Sequence, residues 1–407
     1  MTAASNPLTA ITLTSPRAQT GTGPRPRYTL DGNDALEGNL ERTCSEIAGG
    51  VLGLISRRKL QAIFLGGGYG RGEGGVLRGA GGDRPYNDLE FYVAIEGNRH
   101  VNEFLYRRRL DVLGEILTHL ADVEVEFKIT SLEEIRAWPV SMFSYDLAVG
   151  HRVLWEGTRA DSHHGWGRHL NPENIPRAEA SRLLMNRCSG LLFARSKLEL
   201  EPLTVSNADF VGRNIAKAQL AFGDALLAES GLYHWSCRER HRRLERLSQR
   251  NGSPMYMAAL RHHAAGLQFK LHPSMGAAER GALSASHGEV SAFAEVCWLH
   301  LEEGRLGRLF PSARAYAEDP CDKFPGSAPL FNVALNLRAD NFVPRSRPNP
   351  FRHPRQRIYH AMSLLLWVRG LEADLPLRTR VESELNLPPG TFGNWAVAYR
   401  ALWGRIR

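Results

Sequence analysis

Residues 60–95 read LQAIFLGGGYGRGEGGVLRGAGGDRPYNDLEFYVAI, and the fold turns on this stretch. Leu60–Leu65 is an apolar run of strand length, closed by Gly66, Gly67 and Gly68. A second run, Asn87 to Ile95, alternates: Asp88, Glu90 and Tyr92 share one face, and Leu89, Phe91 and Val93 the other. The polar, glycine-rich segment between them, Gly75 to Tyr86, reads as a loop. Working outward, Asp34 to Ile55 carries Leu36, Leu40, Cys44, Ile47, Val51 and Ile55 at helical spacing. Downstream, Asn102 to Leu120 predicts a helix, and VEVEFKI (Val123 to Ile129) a third strand with Glu124, Glu126 and Lys128 on one face.

Gly70, Gly72 and Gly75 satisfy GxGxxG, with Asp88 or Glu90 downstream. A dinucleotide fold would open a crossover helix at those glycines, and Gly75 to Tyr86 is too short for one. No GK[ST] follows the glycines, so a P-loop is excluded as well. Two carboxylates at i and i+2 on one strand, with a third on another, repel one another unless a hard divalent cation sits between them. A glycine turn lets backbone N–H groups approach phosphates. Together the two features describe metal-assisted chemistry on a nucleotide.

The same residues carry a family resemblance. GGGYGRGEGG, the NDLEF strand and the VEVEF strand resemble the nucleotidyltransferase superfamily that includes DNA polymerase beta, the CCA-adding enzymes and kanamycin nucleotidyltransferase. Gly66, Gly67 and Gly68 match that family's turn, Asp88 and Glu90 its paired acids, and Glu124 its third acid, with Glu126 as the rival. The match covers about residues 45 to 157. It departs from the family in lacking a Ser after the glycines and in having Glu as the second acid. The resemblance implies an α+β fold: a polymerase beta-like mixed-sheet domain over residues 27–158, followed by an α-helical domain over 159–407. It further implies transfer of a nucleoside monophosphate from an NTP to an acceptor hydroxyl, with two Mg²⁺ ions as cofactors. Asp88 and Glu90 would hold the ions. Glu124 would complete the second metal site and take the acceptor's proton. Gly66 to Gly68 and Arg71 would bind the β- and γ-phosphates, with further cations from the helical domain. Arg213 and Lys217, four apart in RNIAK, are the first choice for these, and Asn186 and Arg187 the second. The acceptor is a small molecule or protein rather than nucleic acid, since no basic stripe interleaved with aromatics marks a polynucleotide groove. The alternative is a catalytically silent nucleotide- or RNA-binding protein with the same fold.

The rest of the chain sets limits. Of its 407 residues 43% are hydrophobic, enough for packed cores. A formal net charge of +8 favours anionic ligands, and only six of the 51 basic residues are lysine. No run of about 20 apolar residues offers a membrane span, and no signal peptide is visible, so the expectation is a cytoplasmic protein without membrane contact. Five scattered cysteines fit neither a disulfide framework nor a zinc site. Cys188, on the apolar side of a helix, reads as core. His163, His164 and His169 read as surface histidines in a linker, and residues 1–26 as a disordered lead-in. Helices are expected over Arg177–Leu200, Asn207–Ser230, Ser253–Leu271, Glu289–Glu303, Gln356–Leu371 and Phe392–Ile406.

Overall fold

The apolar run at residues 60–65 is covered on both faces: Ala62, Ile63, Phe64 and Leu65 expose no surface. In the computed structural model, which describes residues 27–158, 166–274, 279–341, 343 and 348–406, this run is a central strand. The first part of the chain runs α1 (Asp34–Leu54), β1 (Leu60–Leu65), α2 (Gly67–Gly70), β2 (Val76–Gly79), β3 (Gly82–Pro85), β4 (Leu89–Ile95), α3 (Arg99–Ala121), β5 (Val125–Thr130), α4 (Leu132–Ala137), α5 (Met142–Gly150) and β6 (Arg152–Glu156). Helices follow: α6 (Ala178–Leu198), α7 (Val205–Glu229), α8 (Cys237–Asn251), α9 (Pro254–Leu271), α10 (Arg280–Leu306), α11 (Ala313–Glu318), α12 (Pro329–Ala339), α13 (Arg355–Trp367), α14 (Leu375–Leu385) and α15 (Phe392–Ile406). The class is therefore α+β, a small mixed sheet followed by helices.

The chain divides into two compact units. The first comprises residues through Gly74, Asn87–Pro139 and Phe143–Leu170, and the second Gly75–Tyr86, Val140–Met142 and Asn171 onward. The division falls after Leu170 rather than after residue 158. Gly75–Tyr86, read as a loop, instead forms the β2–β3 hairpin and belongs with the helices: Tyr86 donates through Oη to Asp209 on α7 at 3.1 Å. Residues 1–26, His163 and His164 lie outside the described residues. His169, expected at the surface, is buried at 1% exposure in a short 3-10 turn.

In the first unit the sheet order is β5-β4-β1-β6. β1 runs antiparallel to β4 and β6, whereas β4 and β5 are parallel. Parallel neighbours need a crossover, and α3 supplies it. Asn98 caps α3, and Asn102 on its first turns is buried and donates to the carbonyls of Ile95 and Glu96 at the end of β4. Gly114 lets α3 lie against β5, since a Cβ there would stand 2.9 Å from the Val125 carbonyl oxygen. Thr118 Oγ1 accepts from the Val125 N–H at 3.0 Å, and Arg107 donates to the Phe127 carbonyl at 2.8 Å. The outer edge of β5 is thereby closed. On the opposite face, Phe64, Tyr92 and Ala94 form a core with Leu132, Ile135, Leu147 and Trp166.

Within the second unit, Leu184, Cys188, Phe222, Leu226 and Trp298 are fully buried, which places Cys188 in the core as its spacing indicates. A buried polar group accompanies them. Asp224 on α7 contacts Arg240 Nε at 2.7 Å and His263 Nε2 at 3.1 Å. Burial alone would raise the Asp224 pKa, but Arg240 and His263 outweigh it and hold the carboxyl below its ordinary range. Among the described residues, no helix is long and apolar enough to cross a membrane.

Gly266 on α9 is where α7 and α9 approach closest: a Cβ there would press on Leu220 N and stand 2.7 Å from Ala216 O, both backbone atoms. Because neither can rotate away, Gly266→Ala is expected to lower unfolding stability by about 1–3 kcal/mol through overpacking. Urea denaturation checks this, and an unchanged midpoint would refute so close an approach.

Candidate functional site

The glycine turn leaves β1 directly. Gly67 takes φ +62°, a left-handed conformation open to glycine without strain, and residues 67–70 form one helical turn. Gly66 donates to the Glu90 carbonyl at 2.9 Å, tying the turn to β4. A Cβ on Gly66 would stand 2.6 Å from the Tyr92 ring, and one on Gly68 3.1 Å from the Glu73 carbonyl. Tyr69 is buried against Gly74, whose N–H donates to Tyr28 O at 3.1 Å. Glycine is thus required at Gly66 and Gly67 by space and by conformation. The first N–H groups of a helical turn have no partner within it, so this turn can present donors to an anion.

Beside the turn stand the acids. Asp88 immediately precedes β4, and Glu90 lies within it. In the parallel pairing Glu90 is directly opposite Glu126 of β5. Side-chain oxygens of Asp88, Glu90 and Glu126 all lie within 4.8 Å of one another, a grouping that could hold a metal ion. Three hard carboxylate donors suit Mg²⁺ or Mn²⁺ rather than a soft metal. Glu90 is half-buried, and the other two acids are exposed.

The cluster contains Glu126, not Glu124, the residue favoured on the sequence. Glu124 precedes β5, and its backbone carbonyl accepts from Leu89 N at 2.8 Å. Its side chain lines a groove of about 620 Å³ between α3 and β5, with Asp111, Glu115 and His119; Glu126 borders the same groove. Glu124 and Glu126 share a strand face, so alternation alone could not separate them. The side-chain positions separate them, since Glu126 rather than Glu124 brings an oxygen within 4.8 Å of both Asp88 and Glu90.

Two residues that sequence reasoning left without a role complete the site. Lys128 Nζ lies 3.5 Å from Glu90 Oε1 and 3.4 Å from Glu126 Oε2, bridging the facing glutamates, and 5.4 Å from the centre of the Tyr92 ring. Tyr92 donates its phenol to Glu90 Oε2 at 3.3 Å. Burial, then the adjacent Glu90 charge, raises the Tyr92 pKa far above its ordinary value, so the phenol stays a donor. The signal for Lys128 was present: it sits two residues beyond Glu126 and is one of six lysines.

The other expected phosphate ligands are placed differently. Arg71 is largely buried, with Nη1 3.6 Å from Asp146 and its stem packed where a Gly150 Cβ would be. Its charge is already partnered. Arg213 and Lys217 lie on α7 in the second unit, Arg213 paired with Asp209 at 2.9 Å and Lys217 exposed. Arg187 is half-buried; desolvation depresses its pKa, while Asp224 acts against that shift, and Asn186 is exposed.

No protein-family model matches the chain, and neither a curated protein nor a solved structure matches it.

The geometry gives an order of Mn²⁺ affinity. Asp88→Asn and Glu126→Gln are expected to abolish binding, and Glu124→Gln to leave it unchanged. Lys128→Gln removes a competing cation and is expected to tighten binding by up to about fivefold, the upper end for a part-exposed ion pair. Isothermal titration calorimetry checks the order, and equal effects at Glu124 and Glu126 would contradict the placing of Glu126 alone of the two in the cluster.

Proposed function

We propose that the first unit is a Mg²⁺-dependent nucleotidyltransferase domain of the polymerase beta-like kind, moving a nucleoside monophosphate from an NTP to an acceptor hydroxyl. The observation that carries the reading is the cluster of Asp88, Glu90 and Glu126 on adjacent parallel strands, beside a glycine turn that is bonded to β4 through Gly66. Asp88, Glu90 and Glu126 would hold the metal. Bound there, Mg²⁺ neutralises triphosphate charge and lowers the pKa of the acceptor hydroxyl. Gly67 and Gly68 would orient the phosphates through backbone N–H groups, while the Gly66 N–H holds the turn to Glu90 O. Glu126, the more exposed of the two facing glutamates, is the better placed to accept the hydroxyl proton. Lys128 would swing from the glutamates to the phosphates as the metal takes its place.

One observation favours a second reading, a catalytically silent nucleotide-binding protein. Lys128 already neutralises part of the acidic cluster, so the carboxylates can coexist without an ion.

Thermal stabilisation by each of the four NTPs, with and without Mg²⁺, separates the two. The nucleotidyltransferase reading expects an upward Tm shift that needs Mg²⁺, names the donor nucleotide and disappears in Asp88→Asn. A shift that is the same with and without Mg²⁺, and in Asp88→Asn, supports silent binding. No response to any NTP sinks both readings.

A further inference from the structure

Helix α3 has two faces. Leu110, Gly114, Leu117 and Ala121 are buried toward the sheet. On the opposite side Val101 is 54% exposed, Phe104 90%, Leu105 49%, Val112 49%, Ile116 62% and Leu120 48%. At 100° per residue these six project along one side of the helix for five turns, about 30 Å. Scattered exposed apolar residues are ordinary on a protein surface, but six on one side of a single helix, broken by Arg108 and His119, point to an interaction surface.

We infer that this stripe joins two copies of the chain, α3 packing antiparallel against α3 of the second copy about a two-fold axis near Leu110 and Asp111. The pattern is self-complementary about that point, as a two-fold interface requires. Val101 on one copy faces Leu120 on the other, Leu105 faces Ile116, and Val112 packs on the aliphatic stems of Arg108 and Arg109. The charges agree. Arg108, Asp111 and Glu115 lie on one flank of the stripe, and in an antiparallel two-fold pair each flank meets its own counterpart. Arg108 therefore lies against Asp111 and Glu115 of the second copy, at both ends of the axis. A parallel pairing would place like charges level with one another. Neither Arg108 nor Glu115 has an ion-pair partner among the described residues, so both are available. A single helix pair of this length is at the small end of specific interfaces, so the dimer should be concentration-dependent.

Sedimentation velocity on the full chain over a wide concentration range tests this. The wild type is expected to pass from monomer to dimer. Ile116→Glu should remain monomeric, with its melting temperature kept because the residue is exposed. Arg108→Glu sets acids against acids and should weaken association about tenfold or more, and adding Glu115→Arg to it should restore wild-type association. This reciprocal rescue reports the antiparallel register and does not depend on Ile116→Glu folding normally. A wild type monomeric at every concentration, a dimer indifferent to Ile116→Glu, or a double variant no better than Arg108→Glu would each overturn the proposal. So would loss of the dimer on deleting residues 1–26, which would show that segment to be the occupant or the partner surface.

Discussion

The in-register parallel pairing of β4 with β5 is the constraint on which the first unit depends. It sets Glu90 directly opposite Glu126, an arrangement that like-charge repulsion opposes. Three features offset the cost. The two acids stand near the strand ends, where water screens them. Lys128 lies between them, and Tyr92 donates to Glu90. Elsewhere the same pairing is apolar, with Leu89 against Val125, Phe91 against Phe127 and Val93 against Ile129. The core contacts hold the register, and the register holds the acids. A slip of one residue would turn Glu126 to the opposite face.

The glycine turn answers to the same strand. Gly66 is bonded to the Glu90 backbone and crowded by the Tyr92 ring, so β4 positions both the turn and the acids. Turn-to-acid distances are thus fixed through one element rather than across a flexible loop, which is what a preorganised polar site requires. Arg71 contributes by packing. Its pairing with Asp146 fastens the far end of the turn to α5, a structural use for a side chain whose position in the motif pointed to phosphate.

Most long elements whose buried positions are apolar were legible, although α14, which buries Leu377, Val381 and Leu385, was not. β1 was read with its observed limits, and α1, α6, α7, α9 and α15 to within a few residues. Elements whose buried positions are polar were not. The inward face of α8 is Cys237, Arg240, Leu244 and Ser248, and Arg240 is buried only because Asp224 receives it from another helix. Helix α12 buries Asn332 and Asn336, which bond to backbone carbonyls between residues 350 and 352. Such helices put few apolar residues on the inward face, so a search for an apolar stripe passes over them, and the partners of their buried polar groups are remote in sequence. The β2–β3 hairpin hid for a related reason: its residues are mostly polar or glycine. In the site, residue types and strand faces were readable, but the choice between Glu124 and Glu126 rests on where the folded side chains stand, which alternation along one strand does not specify.

The crossover also accounts for the character of α3. A helix returning to start a parallel neighbour must bury one side, and α3 does so through a narrow face whose closest point is Gly114. Its edge contacts with β5 are made by Arg107 and Thr118, polar side chains that flank this face. These contacts meet the needs of the fold without help from Val101, Phe104, Leu105, Val112, Ile116 or Leu120. Apolar residues left half exposed or more lower the solubility of the monomer, and six on one side of a helix lower it in concert. The fold explains why α3 exists and how it approaches the sheet, but not why its outer side is greasy. The pairing proposed for α3 would give that side a use that the single chain does not.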